Sequence, residues 1–289
     1  MERWRSAAGA SARHVSEHPG VWVPGALGWL VTVGWIPFIA TVVRPPSVSD
    51  LTFVGARLAT SGAWLWNAVI IGAGVLAAVG MALALAAAAN ATLIALDEHR
   101  PARVVDALRL FRVSVLAGLP AAFAVGTLLA AAAIVAPGQF NAPDPPGGPV
   151  LSTLGRLAPV LALVGATVVG ALVVAAIGGR IAVARRTGAL RGIGSSAGLA
   201  LRGSVLVHAA VSLLAAGLLI GIATMLLGVL WAPIGADLGA IGAFDLTTGS
   251  LLVGFVAVWL GIVLAGGALH AWSATTWSRL VAAEAPSRT

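Results

Sequence analysis

An all-α, polytopic membrane bundle is the fold class this sequence predicts, on three observations. Charged residues make up only 9% of the chain and hydrophobic ones 59%, with a mean hydropathy of +1.00, whereas a soluble domain carries about 25% charge. Six apolar runs each supply the ~20 residues a helix needs to cross the hydrocarbon. Those runs are continuous Ala, Leu, Val and Gly without period-two alternation, which points to helices rather than a barrel.

The runs lie near 21–43, 64–96, 113–136, 157–184, 203–232 and 250–275. The second, fourth, fifth and sixth are long enough to tilt or to project beyond the bilayer. RPPSVSDLTFVGARL (44–58) reads as a short interfacial helix capped by Ser49 or Asp50, with Leu51, Val54 and Leu58 on one face. PGQFNAPDPPGGP (137–149) is a Pro/Gly loop with no helical period. APIGADLGAIGAFDLTTG (232–249) is apolar for a loop. It is expected to lie on the bilayer or tuck between helices, with Asp245 or Thr248 capping the sixth span.

The arginines predict the orientation. With the N-terminus cytoplasmic, only Arg44, Arg57 and Arg156 of the 17 basic residues fall outside, so both termini are expected in the cytoplasm of a prokaryotic plasma membrane. Trp64, Trp66 and Trp231 would then mark the outer interface, and Trp22, Trp272 and Trp277 the inner one. Trp29, Trp35 and Trp259 lie deeper, as packing residues. The net charge of +7 is explained by arginines holding cytoplasmic loops against anionic lipid. Membrane lipids and other membrane subunits are the expected partners, and nucleic acid is not. The absence of cysteine excludes disulfides and thiolate chemistry.

Two stretches, RVSVL (112–116) and RGSVL (202–206), lie ninety residues apart and each opens an apolar run. Asn90, Arg180 and His270 follow the same period near the inner ends of the second, fourth and sixth spans. The chain therefore reads as one membrane domain, 1–289, of three parallel two-span repeats near 1–97, 98–187 and 188–289. Each repeat opens on a cytoplasmic amphipathic interfacial helix. PARVVDALRLFRVSV places Val104, Leu108, Phe111 and Val115 on one side and Arg103, Asp106, Arg109 and Arg112 on the other, with Pro101 in the first turn. A weaker stripe passes through Leu190, Ile193, Ala197 and Leu201, and a fainter one through Trp4, Ala8, Ser11 and Val15. Arg103, Arg109, Arg112, Arg191 and Arg202 are the expected lipid-phosphate contacts.

Polar side chains within spans usually face protein, because a central charge exposed to lipid costs about 2.5–3.5 kcal/mol. If Asn90, Arg180 and His270 converge, they offer an amide, a fixed cation and an imidazole, and His208 is placed to join them. That set suits a small anion or a lipid headgroup. In the alternative, Arg180 snorkels to the interface and the others make ordinary interhelical bonds of ~0.6 kcal/mol. GSSAG (194–198) matches G-x-S-x-G, and Asp245 and His270 follow Ser196 in hydrolase order. The strand-turn-helix context is missing, and Asp245 is expected ~30 Å away across the bilayer. GIGSSA (192–197) likewise lacks the strand of a dinucleotide fingerprint. His14, His18 and His99 are expected in solvated cytoplasmic segments. Gly217 and Gly221 are expected to make a close helix contact. No catalytic residue, metal ligand or cofactor is expected.

The recurring pattern in TLIALDEHRPARVVDALRLFRVSVL and RIAVARRTGALRGIGSSAGLALRGSVL resembles six-span bacterial and archaeal membrane proteins. These are of the type attached to some glycerophosphodiester phosphodiesterases. The resemblance implies a helical membrane domain. The soluble phosphodiesterase domain of that group is missing, so its activity is not carried over. Mitochondrial carriers also have three two-span repeats, but their P-x-D-x-x-[KR] signature is absent. The expected function is a non-catalytic scaffold or subunit of a membrane assembly. A transporter subunit binding a small anion or lipid headgroup is the alternative, followed by a lipid-modifying enzyme.

Overall fold

The computed structural model describes residues 2–43, 53, 57, 60, 62–140, 148–239 and 246–284. Among the described residues every regular element is helical. Helix α1 spans Glu2–Glu17, and a 3-10 turn at Pro19–Val21 leads into α2 (Trp22–Trp29). A π-helical turn at Leu30–Gly34 separates α2 from α3 (Ile36–Val42). Then follow α4 (Trp64–Asp97), α5 (Val104–Phe140), α6 (Gly148–Ala184), α7 (Ala189–Ala200), α8 (Gly203–Gly239) and α9 (Leu246–Glu284). Five of these are single helices long and apolar enough to cross a membrane. The pair Pro19–Gly34 and Ile36–Val42, bent by 47°, makes a sixth if it forms one span. The protein is thus a multi-pass membrane protein by the length and composition of its helices. The bend has a local cause: Pro37 lacks the N–H that would continue the ladder and its ring crowds the carbonyl four residues back, inside the π-helical turn.

The expected connections differ from those observed in three places. The Pro/Gly loop expected over 137–149 is shorter than read: α5 continues to Phe140 and α6 begins at Gly148. The run 232–239 is not a loop: α8 continues through Pro233 to Gly239, because Ile234 is fully buried against Leu227 and Phe255. Thr248 is inside α9 rather than its cap, and its hydroxyl donates to Asp237 Oδ2 at 2.8 Å. Asp245, Ser49, Asp50, Leu51, Val54 and Leu58 lie outside the described residues, as do 141–147. The Arg57 guanidinium lies 5.2 Å from the Phe53 ring.

The predicted interfacial helices fare unequally. α1 and α7 are separate helices, but the segment before the third span is not, and Pro101 precedes it rather than opening it. α5 runs unbroken from Val104, and the face it buries is Asp106, Leu110, Val113 and Ala117. The apolar stripe Val104 and Leu108 is exposed. In α7 the buried positions are Gly192, Ser196 and Leu199, while Leu190 and Leu201 are exposed. Only the faintest stripe holds nearly as read, with Ala7, Ala8, Ser11 and Val15 buried along α1.

Residue contacts group the chain into two units, one of residues 1–107 and 207–276, the other of 108–206 and 277–289. In the first unit, α2 and α9 cross at glycines. A Cβ on Gly267 would stand 2.7 Å from the Ala26 nitrogen and the Trp22 carbonyl. A Cβ on Gly25 would overlap the Gly267 carbonyl, and one on Gly28 would meet His270 Nε2 at 2.5 Å. The Trp29 indole fills the space left by Gly34 and Gly266, and is buried as its depth predicted. Further along, Phe38, Trp231, Phe255 and Trp259 form an aromatic cluster with centroids 5.3–5.9 Å apart. Trp231 is therefore a packing residue, while Trp35 is 46% exposed. In the second unit, a Cβ on Gly192 of α7 would meet the Gly178 carbonyl of α6 at 2.5 Å, and one on Gly179 would meet Leu110 of α5 at 2.6 Å. Gly217 and Gly221, by contrast, have nothing within 4 Å of their Cβ positions, so among the described residues the close contact expected there is not made.

Candidate functional site

Asn90, His208 and His270 belong to the first unit and Arg180 to the second. Asn90 is half-buried, and its Nδ2 donates to the Ala86 carbonyl one turn back at 2.9 Å. That bond ties the amide to its own helix. His270 is also half-buried, and the absence of a side chain at Gly28 gives its ring room. Arg180 does not snorkel: it is 6% exposed. Its Nε donates to Ser278 Oγ at 3.2 Å and its Nη1 to the Ala176 carbonyl at 2.9 Å. Gly178 and Gly179 draw α7 and Leu110 close at the turn that carries it.

His208 is fully buried at the centre of a hydrogen-bonded cluster. Its Nε2 donates to the Ser273 carbonyl at 3.2 Å, which places the proton on that nitrogen. Ser212 Oγ and Ser273 Oγ lie 3.5 and 3.4 Å from the same atom, and 3.0 Å from each other. A nitrogen already carrying a proton cannot take one from either hydroxyl, so this is not an activated serine. Trp272 meets the imidazole edge-on, at 5.4 Å between centroids. Its indole donates to the Ala8 carbonyl at 3.1 Å, and the Trp22 indole donates to the Val15 carbonyl at 2.9 Å. Two tryptophans expected at the inner interface thus fasten α1 along its buried face. The polar residues of α9 hold helices together, which the sequence signalled only as isolated serines and a histidine.

Ser196 is in mid-helix, fully buried, and donates to the Ile193 carbonyl at 2.7 Å. The G-x-S-x-G match is therefore not a nucleophile elbow, and its glycines, Gly194 and Gly198, have nothing within 4 Å of their Cβ positions; the close α6–α7 contact is made by Gly192. Among the proposed phosphate contacts, Arg103, Arg112, Arg191 and Arg202 are exposed and Arg109 is half-buried. Arg112 lies inside α5, whereas its counterpart Arg202 stands in the break before α8. No group of three His, Asp or Glu side chains suited to a metal occurs among the described residues.

A cleft that the sequence did not reveal lies between the ends of α1 and α4, with a volume of about 650 Å³. His14, Glu17 and His18 line it from α1, and His99 and Arg100 from the turn after α4. The His14 and His18 rings stand 4.8 Å apart, and His18 Nδ1 donates to the His14 carbonyl at 3.1 Å. His99 adopts a left-handed conformation, φ 51°, and Arg100 N–H then returns to the Ala95 carbonyl at 2.9 Å. Arg186 ends α6 in the same way, with φ 51° and a Thr187 N–H to Ala182 bond of 3.0 Å. Arg100 binds Glu98 through Nε and Asp106 Oδ2 through Nη1 at 2.7 Å. The Glu98 hydrogen bond raises the Arg100 pKa against partial burial, and Asp106 adds to the rise. Sequence reading places these histidines in solvated cytoplasmic segments; His14 and His18 are four positions apart, but His99 is 81 positions beyond His18, and no spacing links it to them.

No protein-family model matches the chain, and no curated protein or solved structure matches it either.

Proposed function

We propose that this chain is a non-catalytic scaffold or subunit of a larger membrane assembly. It would cross a prokaryotic plasma membrane six times, as three like-oriented hairpins with both termini cytoplasmic, where exposed arginines meet lipid phosphates. The observation that carries this reading is the packing of α4 and α5. Their most apolar 18-residue windows contain no buried residue. Transmembrane helices associate through close packing at small residues, and lipid tails drive no such burial by themselves. On α4, Gly72, Gly74 and Gly80 have nothing within 4 Å of their Cβ positions, and the same holds for Gly118 and Gly126 on α5. Unused small residues on helix stretches that bury nothing within the chain suit contact with another chain. The polar groups of the spans support the non-catalytic side of the proposal, because Asn90, Arg180 and His208 each bond within the protein.

Extraction of the chain from its native membrane in lipid nanodiscs, followed by mass determination, tests the proposal. A second polypeptide in fixed ratio is expected. A species of 28.8 kDa with lipid alone would overturn it. The cleft beside His99 favours a second reading, in which the assembly also takes up a small ligand at the cytoplasmic side.

A further inference from the structure

The cleft between α1 and α4 has the size of a small-molecule site, and Glu17 is the carboxylate among its lining residues. Arg100 lines it too, but its guanidinium is already met by the carboxylates of Glu98 and Asp106, which lie outside the lining. The charge of Arg100 is thus answered, and among the described residues that of Glu17 is not. α1 and α4 both present their C-terminal ends here, where the helix dipole favours positive charge. An anion would meet repulsion from each of these features. A metal ion would need converging ligands, and no such group of three occurs among the described residues. Val21, Ala95 and Leu96 give the cleft an apolar part of its lining.

From this we infer that the cleft binds a primary ammonium group carried on a short apolar body. Glu17 is its counter-ion, the imidazole of His99 is its neighbour, and Val21 and Leu96 take its alkyl part. Arg100, held by its two carboxylates, closes the far side and leaves Glu17 as the carboxylate not already committed to it. The same ammonium chemistry is available from an aminophospholipid headgroup or from a soluble alkylamine. The inference does not depend on the scaffold proposal, since it concerns residues 14–21 and 95–100 alone.

Calorimetry on the full chain in detergent, with hexylamine and hexanoate as probes, tests it. Hexylamine is expected to bind saturably and hexanoate not to bind. Glu17→Gln should weaken hexylamine by about tenfold, the loss of one charge-assisted contact at a solvent-open site. Glu17 is exposed, so an unchanged melting temperature will show that the variant is folded. Equal or stronger binding of hexanoate, or an unaltered Glu17→Gln affinity, overturns the inference. Native mass spectrometry from nanodiscs of phosphatidylethanolamine or phosphatidylcholine separates the sources. Retention of phosphatidylethanolamine by the wild type but not by Glu17→Gln assigns the lipid headgroup. Binding of hexylamine without lipid retention assigns a soluble amine, and neither result leaves the inference refuted.

Discussion

Replacing Gly267 with alanine would put a methyl group against the backbone of α2. Its Cβ would lie 2.7 Å from the Ala26 nitrogen and the Trp22 carbonyl, where ordinary contact begins near 3.4 Å. The two helices must therefore part by about 0.7 Å, and backbone atoms cannot rotate away as a side chain can. Overpacking of this kind costs about 1–3 kcal/mol, against about 0.5–1 kcal/mol gained from the helical preference of alanine. The net loss should be about 1 kcal/mol, and at most about 2.5 kcal/mol. Gly217→Ala is the matched control, in a helix interior with nothing within 4 Å, and should be neutral or stabilising. Unfolding in mixed micelles, followed by tryptophan fluorescence, measures both, because Trp22 and Trp29 sit at the crossing. A Gly267→Ala protein as stable as the wild type, or a Gly217→Ala protein equally weakened, would refute the glycine crossing.

Three further outcomes are expected. Trp272→Phe removes the bond to the Ala8 carbonyl, costing about 1 kcal/mol; hydrogen exchange should rise along α1 while that of α6 is unchanged. Arg180→Ala leaves the Ser278 hydroxyl and a cavity and should lower the melting temperature, whereas Arg180→Met fills the same volume without a buried charge and should lower it less or raise it; equal losses would contradict a packing role. Arg186→Gly relieves a left-handed non-glycine residue and should stabilise by about 1 kcal/mol, read as a higher unfolding midpoint.

Where the helices lie was legible because an apolar run of span length is a local property. The runs near 64–96 and 203–232 correspond to α4 and α8. Which face of each helix packs was much less legible, because lipid and protein interior are both apolar. Val104 and Leu108 form a clean stripe, yet that stripe is exposed and Leu110 and Val113 are buried. α4 is apolar all round, so no stripe marks a contact. The close crossings had a signal that single glycines obscured. The helical glycine doublets, Gly178–Gly179 and Gly266–Gly267, both lie at tight contacts and both precede a polar residue singled out from sequence, Arg180 and His270. The partners of His208 are far from it in the chain, at Trp272 and Ser273, and could only be found once α8 and α9 were placed. The His14, His18 and His99 cleft escaped for the same reason.

Whether another polypeptide covers the apolar face of α4 is tested most directly by cross-linking in the native membrane. A photo-reactive residue at Val79, 51% exposed, is compared with one at Leu93, 1% exposed. A discrete product containing a second chain at position 79, with only intrachain products at position 93, is the predicted result. Lipid adducts alone at position 79 would contradict a role as a subunit of a larger assembly.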